Sequence, residues 1–233
     1  MSKAIAIVSG GLDSVTLAYL LANQGYKLHL LSFNYGQRHI RELEYAANCA
    51  ARLDAEHDLI DLSAVTPFLT GSALTDDIAV PEGHYAAPSM AATVVPNRNA
   101  MLLSVAYAVA VAERAGVVAL GVHAGDHPVY PDCRPDFIGA FSRMEYVATE
   151  GYAHPGLLLL APFVYKSKAD VVRIGSELGV PFAETWSCYK GGDRHCGRCG
   201  TCVERREAFR LAEIPDPTEY EDRGFAEAEL VQV

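Results

Sequence analysis

Two groups of residues in this chain are equipped for chemistry by their types and spacing. Near the C-terminus, Cys188, Cys196, Cys199 and Cys202 form a C-x7-C-x2-C-x2-C cluster, with Gly197 and Gly200 relieving the turns between them. Thiolates bind zinc tetrahedrally, and four of them fill every position, so a centre of this kind is structural and has no place for a water. An iron–sulfur cluster is the main alternative, because C-x2-C-x2-C also occurs in ferredoxins. Here the fourth cysteine lies upstream and no Cys-Pro follows. His195 offers a nitrogen that could replace one sulfur. At the other end of the chain stands Ser9-Gly10-Gly11-Leu12-Asp13-Ser14. Its glycines allow a tight turn that brings backbone N–H groups to an anion. A helix beginning there aims its positive end at the same point. Asp13 would repel a phosphate directly, so it makes sense as the partner of a Mg2+ that a phosphate also binds.

These groups need elements to hold them. Short apolar runs predict strands at Ala4 to Val8, Leu28 to Phe33, His57 to Leu62, Val117 to Val122 and Leu157 to Leu160. Helical patterns cover Ser14 to Asn23, Arg41 to Leu53, Asn99 to Ala115, Asp136 to Thr149 and Ser167 to Leu178, the last capped by Ser167 and ended by Gly179. The alternation predicts an α/β fold with a doubly wound, mainly parallel sheet, whose ligands bind beyond the carboxyl ends of the strands. Ala64 to Pro96 interrupts the rhythm as a Pro/Gly-punctuated segment, expected to be a lid or substrate loop. A catalytic unit over residues 1–185 and a zinc-binding, C-terminal helical segment over 186–233 are expected.

The 233 residues are half hydrophobic and carry a formal net charge of −10. That charge disfavours nucleic acid, which needs clustered Lys and Arg; Arg205-Arg206 is flanked by Glu204 and Glu207. A small polar substrate is the better expectation. No secretory signal and no apolar run long enough to span a membrane are read at the sequence level. A reducing, cytoplasmic setting and metal-held thiols follow from that. Cys49, on the apolar side of a helix, belongs to the core, and Cys133 lies in a polar loop with nothing nearby to activate it as a nucleophile.

Polar constellations follow the other strands. Asn34-Tyr35-Gly36-Gln37-Arg38-His39 comes after the second, and Val95-Pro96-Asn97-Arg98-Asn99 opens a helix where Arg98 could hold a carboxylate or phosphate bidentately. The loop from His123 to Pro135 gathers His123, Asp126, His127, Tyr130, Asp132, Cys133 and Arg134. Its histidine pair reads as metal-binding, substrate-binding or structural. Lys166 and Lys168 open the last helix, where a cation is electrostatically unfavourable unless an anion binds nearby.

Ser9 to Ser14 is similar to the SGGxDS motif of the PP-loop ATP pyrophosphatases. With Tyr35-Gly36-Gln37-Arg38-His39, Val95 to Asn99, Tyr130-Pro131-Asp132-Cys133-Arg134-Pro135, Lys168 and Thr185-Trp186-Ser187-Cys188-Tyr189-Lys190-Gly191, the chain from residue 3 to about 212 resembles the 7-cyano-7-deazaguanine synthases. The resemblance implies an adenine nucleotide alpha-hydrolase-like, Rossmann-like fold and one structural Zn2+ on Cys188, Cys196, Cys199 and Cys202. It implies that ATP, with Mg2+, twice activates 7-carboxy-7-deazaguanine, and that ammonia supplies the nitrile nitrogen. Asp13, Ser14 and Lys168 are then the catalytic residues. Val8, Ser9, Gly10, Gly11, Leu12, Asp13, Ser14, Val15, Thr16, Leu17 and Ala18 form the ATP site. Tyr35, Gln37, Arg38, Arg98, Asp126, Asp132 and Arg134 hold the deazaguanine or its carboxylate. A cytoplasmic homodimer, with neither a nucleic-acid nor a membrane partner, is also implied. Asn97 stands where glycine is usual in VPxRN, and His-Ala-Gly-Asp-His is one of several versions of its loop. The motifs leave open a relative that adenylates another carboxylate or a tRNA base. They also leave open a non-catalytic zinc module, against which the intact Asp13 and Ser14 argue.

Overall fold

Five strands, β1 (Lys3–Ile7), β2 (Lys27–Asn34), β3 (Glu56–Asp61), β4 (Val117–Ala119) and β5 (Leu158–Leu160), form one sheet in the computed structural model, which describes residues 2–225. All four pairings are parallel and the order is β3-β2-β1-β4-β5. β1 is buried on both sides. Ala4 and Ala6, continued by Val8, face one core, while Ile5 and Ile7 face the other, as the two-residue period of a strand requires. Helices α1 (Leu12–Asn23), α2 (Glu42–Arg52), α5 (Lys168–Glu177) and α6 (Gly200–Ala212) supply the first core. Helices α3 (Arg98–Ala112) and α4 (Pro135–Ala148) supply the second. No helix among the described residues is long and apolar enough to cross a membrane.

The chain lays down β1, β2 and β3 in one direction, then returns to place β4 on the other side of β1. Loops leaving the carboxyl ends of β1 and β4 therefore part, and a crevice opens where the order reverses. β4 stops at Ala119, short of the expected Val122. Leu120 still donates its N–H to Leu160 O at 3.0 Å. At Gly121 the backbone presses on the start of α1, where an added Cβ would come within 3.2 Å of the Asp13 carbonyl oxygen. α3 ends at Ala112, not Ala115, because Arg114 turns into the left-handed region (φ +53°). Asn97, before α3, also has left-handed backbone (φ +57°). Glycine and asparagine are the residues that tolerate this conformation, which accounts for the departure from VPxRN.

The segment from Ala64 to Pro96 contains no strand or α-helix, only short stretches of tighter helix at Ser63–Phe68 and Pro88–Thr93. It is strapped down at both flanks. Leu74, Tyr85, Met90 and Val95 enter the α3 core. Ala73 and Val80 pack on the cysteine cluster. Glu82 pairs in antiparallel fashion with Cys199, and its carboxylate holds Arg198 at 2.8 Å and Lys190 at 2.5 Å. From Trp186 onward the chain forms the cysteine region and then α6, whose Ala208 and Phe209 return to the sheet core. Residues 226–233 of the expected C-terminal segment lie outside the described residues.

Candidate active site

The turn between β1 and α1 is shaped by one glycine. Gly10 has φ +86°, and a Cβ there would meet Glu42 O at 2.2 Å, so no other residue fits. Its carbonyl accepts the Trp186 N–H at 2.9 Å, which ties the turn to the cysteine region. Ser14 Oγ accepts the Ser9 N–H at 3.2 Å, lies 3.3 Å from Ser9 Oγ and donates to Gly11 O at 3.1 Å. The loop is thus closed on itself. The first backbone N–H groups of α1, at Leu12 to Ser14, have no partner within the helix and are free to bind an anion.

Lys168, the first residue of α5, brings a cation to this turn. Ser167 caps α5 with Asp170 in a reciprocal box, which fixes where Lys168 leaves the helix. Its Nζ lies 3.0 Å from Asp13 Oδ2, 2.9 Å from Glu204 Oε2 and 3.3 Å from His123 Nε2. Burial works against the charge of Lys168, but Asp13 and then Glu204 outweigh it and raise its pKa. Burial likewise opposes ionisation of Asp13, yet Lys168 and then His123 hold the carboxyl below the usual carboxylate range. For Glu204, burial wins over Lys168 and pushes the pKa up. Asp13 Oδ1 is buried without a hydrogen bond. An ionised oxygen left unpaired beside an anion-binding turn is a fitting ligand for a divalent cation that a phosphate shares.

A cavity of about 190 Å3 opens from this turn between β1 and β4. Ser9, Gly11, Asp13, Ser14 and Lys168 line one part of it, and Phe33, Tyr35, Tyr85, Tyr130, Tyr189 and Arg98 line another. The aromatic part is internally braced. Tyr85 donates its hydroxyl to Asp126 Oδ1 at 3.0 Å, and Tyr130 and Thr93 hydroxyls meet at 2.6 Å. Tyr85 and Tyr130 rings pack 6.0 Å apart. Burial, first of all, pushes the phenols of Tyr35, Tyr85 and Tyr189 up, so they remain neutral donors. Flat apolar faces edged with hydroxyls, the Arg98 guanidinium and the carboxylates of Asp126 and Glu42 suit a planar polar heterocycle.

Cys188, Cys196, Cys199 and Cys202 are all buried, and their sulfurs lie within 4.8 Å of one another. Sulfurs bound to one zinc at about 2.3 Å sit roughly 3.8 Å apart. Cys196–Cys202 at 3.9 Å and Cys199–Cys202 at 3.5 Å match that spacing. Backbone N–H groups of Cys196, Arg198 and Cys199 point at the sulfurs of Cys188 and Cys196 from 3.3 to 3.4 Å. That is a setting for thiolates, and four thiolates this close require a cation. The donor set fits zinc, with all four positions taken by sulfur. His195 is not among the ligands. Its Nε2 accepts the Ser187 N–H at 3.0 Å, its ring stacks 4.4 Å from Trp186, and burial keeps it neutral by lowering its pKa to about 3.

The sequence model of a family described as "Queuosine biosynthesis protein QueC" matches residues 3–213. The chain belongs to the QueC family. Among its relatives, the 7-cyano-7-deazaguanine synthase of Rhizobium leguminosarum bv. trifolii is 60% identical over 99% of this chain and 97% of its own length. That of Agrobacterium fabrum is 60% identical over 96% of this chain and 94% of its own. The solved NMN synthetase of Francisella tularensis, 15% identical, superposes with a TM-score of 0.50 over 99% of this chain and 84% of that one, a likeness of fold alone.

Of the family-motif residues, Val8, Ser9, Gly11, Leu12, Asp13, Ser14, Tyr35, Arg98, Asp126 and Lys168 line the cavity. Val15, Thr16, Leu17 and Ala18 are buried inside α1. Gln37 lies behind the lining. Its Oε1 accepts the Tyr35 N–H at 2.9 Å and its Nε2 donates to Phe33 O at 2.8 Å, which fixes the turn carrying Tyr35. Asp132 accepts the Asn99 N–H at 2.9 Å, Arg134 donates to His127 O at 2.9 Å, and Arg38 donates to Asp76 O at 2.8 Å; none of the three lines the cavity. Cys49 is in the core. Cys133 lines the cavity, but burial pushes its thiol up and leaves it protonated. His123 and His127 join no cluster of three or more converging ligand atoms among the described residues. Glu42, Tyr85 and Glu204 were not singled out from the sequence. Tyr85 sits in an aperiodic segment and Glu204 beside a basic pair, so neither carried a local signal.

Two outcomes follow from this geometry. A zinc on the four sulfurs would hold in place the segment whose Trp186 N–H donates to Gly10 in the phosphate turn, so chelation is expected to lower the Tm by about 10 °C or more and to shift the emission of Trp186, the single tryptophan. Thermal melting with metal analysis checks this. Asp13 is held below its ordinary pKa by Lys168, so its share of stability is complete above the unfolded value of about 3.9 and is lost as pH falls through the lower folded value. Lys168→Met removes that support, and the midpoint of acid unfolding followed by circular dichroism should move to higher pH.

Proposed function

We propose that this protein converts 7-carboxy-7-deazaguanine and ammonia to 7-cyano-7-deazaguanine at the expense of ATP, a step in making the queuosine precursor. The observation that carries the reading is the two-part cavity. It sets an anion-binding turn with Asp13 and Lys168 beside an aromatic chamber that holds Arg98 and Asp126. Membership of the QueC family and the names of its relatives support it.

A carboxylate is a poor electrophile, and its oxygen must first become a leaving group. ATP bound with its phosphates on Ser9 to Ser14 is attacked at the α-phosphorus by the substrate carboxylate oxygen, and pyrophosphate departs. Charge grows on the departing oxygen, where the α1 N–H groups and Lys168 stand ready without reorganising. Mg2+, held by Asp13, would neutralise phosphate charge. Ammonia then attacks the acyl adenylate and AMP leaves, giving the amide. A second ATP adenylates the amide oxygen with release of pyrophosphate, and departure of AMP with loss of both N–H protons yields the nitrile. On this reading Arg98 holds the carboxylate and Asp126 accepts N–H bonds from the heterocycle, and both side chains line the cavity. Ser14 acts through its hydroxyl, which already braces the turn.

The zinc is structural on this reading and supplies no reacting group. A cytoplasmic homodimer belongs to the same proposal, and the exposed Met144, Tyr146 and Val147 on α4 support an apolar contact between copies. The test is a mass-spectrometric assay with 7-carboxy-7-deazaguanine, ATP, Mg2+ and ammonia. Nitrile and AMP should appear together, and Asp13→Ala should cut the rate by about a hundredfold or more with zinc content unchanged. Absence of substrate-dependent AMP would defeat the proposal.

A further inference from the structure

Glu204 stands two residues after Cys202, early in α6, and outside the motifs that mark the rest of the site. Its side chain is 9% exposed, with Oε2 2.9 Å from Lys168 Nζ and Oε1 3.9 Å from His123 Nε2. Room for it is made on the opposite side, because a Cβ on Gly125 would come within 2.9 Å of Oε1. Its backbone is held on two sides. Cys199 precedes the first residue of α6 and Cys202 lies in its first turn, so the metal cluster sets where the helix starts. Arg205, the next residue, is fully buried and donates to Thr185 Oγ1 and Phe182 O at 2.8 Å, which fixes the rotation of the helix about its axis.

A carboxylate near a phosphate site is by itself unfavourable to the phosphate, so Glu204 can assist an anion only through the cation it holds. Without it, Asp13 would be the carboxylate left in contact with Lys168, with His123 Nε2 beside it at 3.3 Å, and the ammonium would be drawn toward Asp13. We infer that Glu204 is a positioning residue for Lys168, through which the cysteine-anchored start of α6 sets the direction in which that ammonium meets a phosphate on the Ser9–Ser14 turn. The inference rests on the proposed use of ATP.

The test is a double-mutant cycle read by calorimetry with α,β-methylene-ATP and Mg2+, on zinc-loaded protein of measured metal content. Glu204→Ala should weaken binding by about tenfold in the otherwise wild-type protein. On a Lys168→Ala background the same change should leave binding unchanged or tighten it, since only the repelling charge is then removed. Glu204→Gln keeps an acceptor for Lys168 and should stay within about threefold of wild type. Equal weakening with and without Lys168, or tighter binding on Glu204→Ala alone, would overturn the inference. So would loss of zinc or unfolding in both Glu204 variants, which would make the residue structural. Wild-type protein that binds the analogue yet releases no AMP with 7-carboxy-7-deazaguanine would defeat the proposed function, while the binding cycle would still decide on Glu204.

Discussion

One ammonium organises this molecule. Lys168 stands between Asp13 on α1 and Glu204 on α6, three segments far apart in sequence. Opposite charges 3 Å apart attract by about 5 kcal/mol at an effective dielectric of 20. Withdrawing each ion from water costs several kcal/mol. The cluster therefore comes close to break-even as a source of stability. Its consequence is placement: a positive charge kept at the mouth of an anion-binding turn, and a buried carboxylate oxygen on Asp13 left without a hydrogen bond beside it.

The cysteine region holds the same spot from outside. Trp186 donates to Gly10 in the phosphate turn, Thr201 holds Ser187 by a 2.7 Å bond to its carbonyl, and Glu82 carries the strapped segment onto Cys199. A closed set of four sulfurs has no open position for substrate. Its binding energy is folding energy, delivered to the wall of the cavity. A metal on these sulfurs would work as a clasp on three walls at once, while the reacting groups proposed for the site come from the sheet ends and from the first turns of α1 and α5.

Much of this was legible in the sequence because its signals are local. Two-residue and 3.6-residue periodicities marked the sheet and most helices, the Ser9–Ser14 turn announced itself by its glycines, and the cysteine spacing marked a cluster of converging sulfurs. What was not legible depends on the fold. Glu204 reads only as an acidic flank of Arg205-Arg206 until α6 is docked. Arg38 and Arg134 look like carboxylate clamps, but backbone carbonyls of Asp76 and His127 occupy them. Arg205 reads as half of a basic patch and is instead fully buried among Phe182, Thr185 and Ser187. The early end of β4 at Ala119 comes from a tertiary approach at Gly121 that no strand propensity encodes.

The central claim is that one phosphate turn performs both activations in one cavity. Counting AMP against nitrile in a single reaction tests it most directly. Two AMP per nitrile, with no ADP, is the predicted result, and a Ser14→Ala variant should lower both products together. One AMP per nitrile, or release of ADP, would contradict the account.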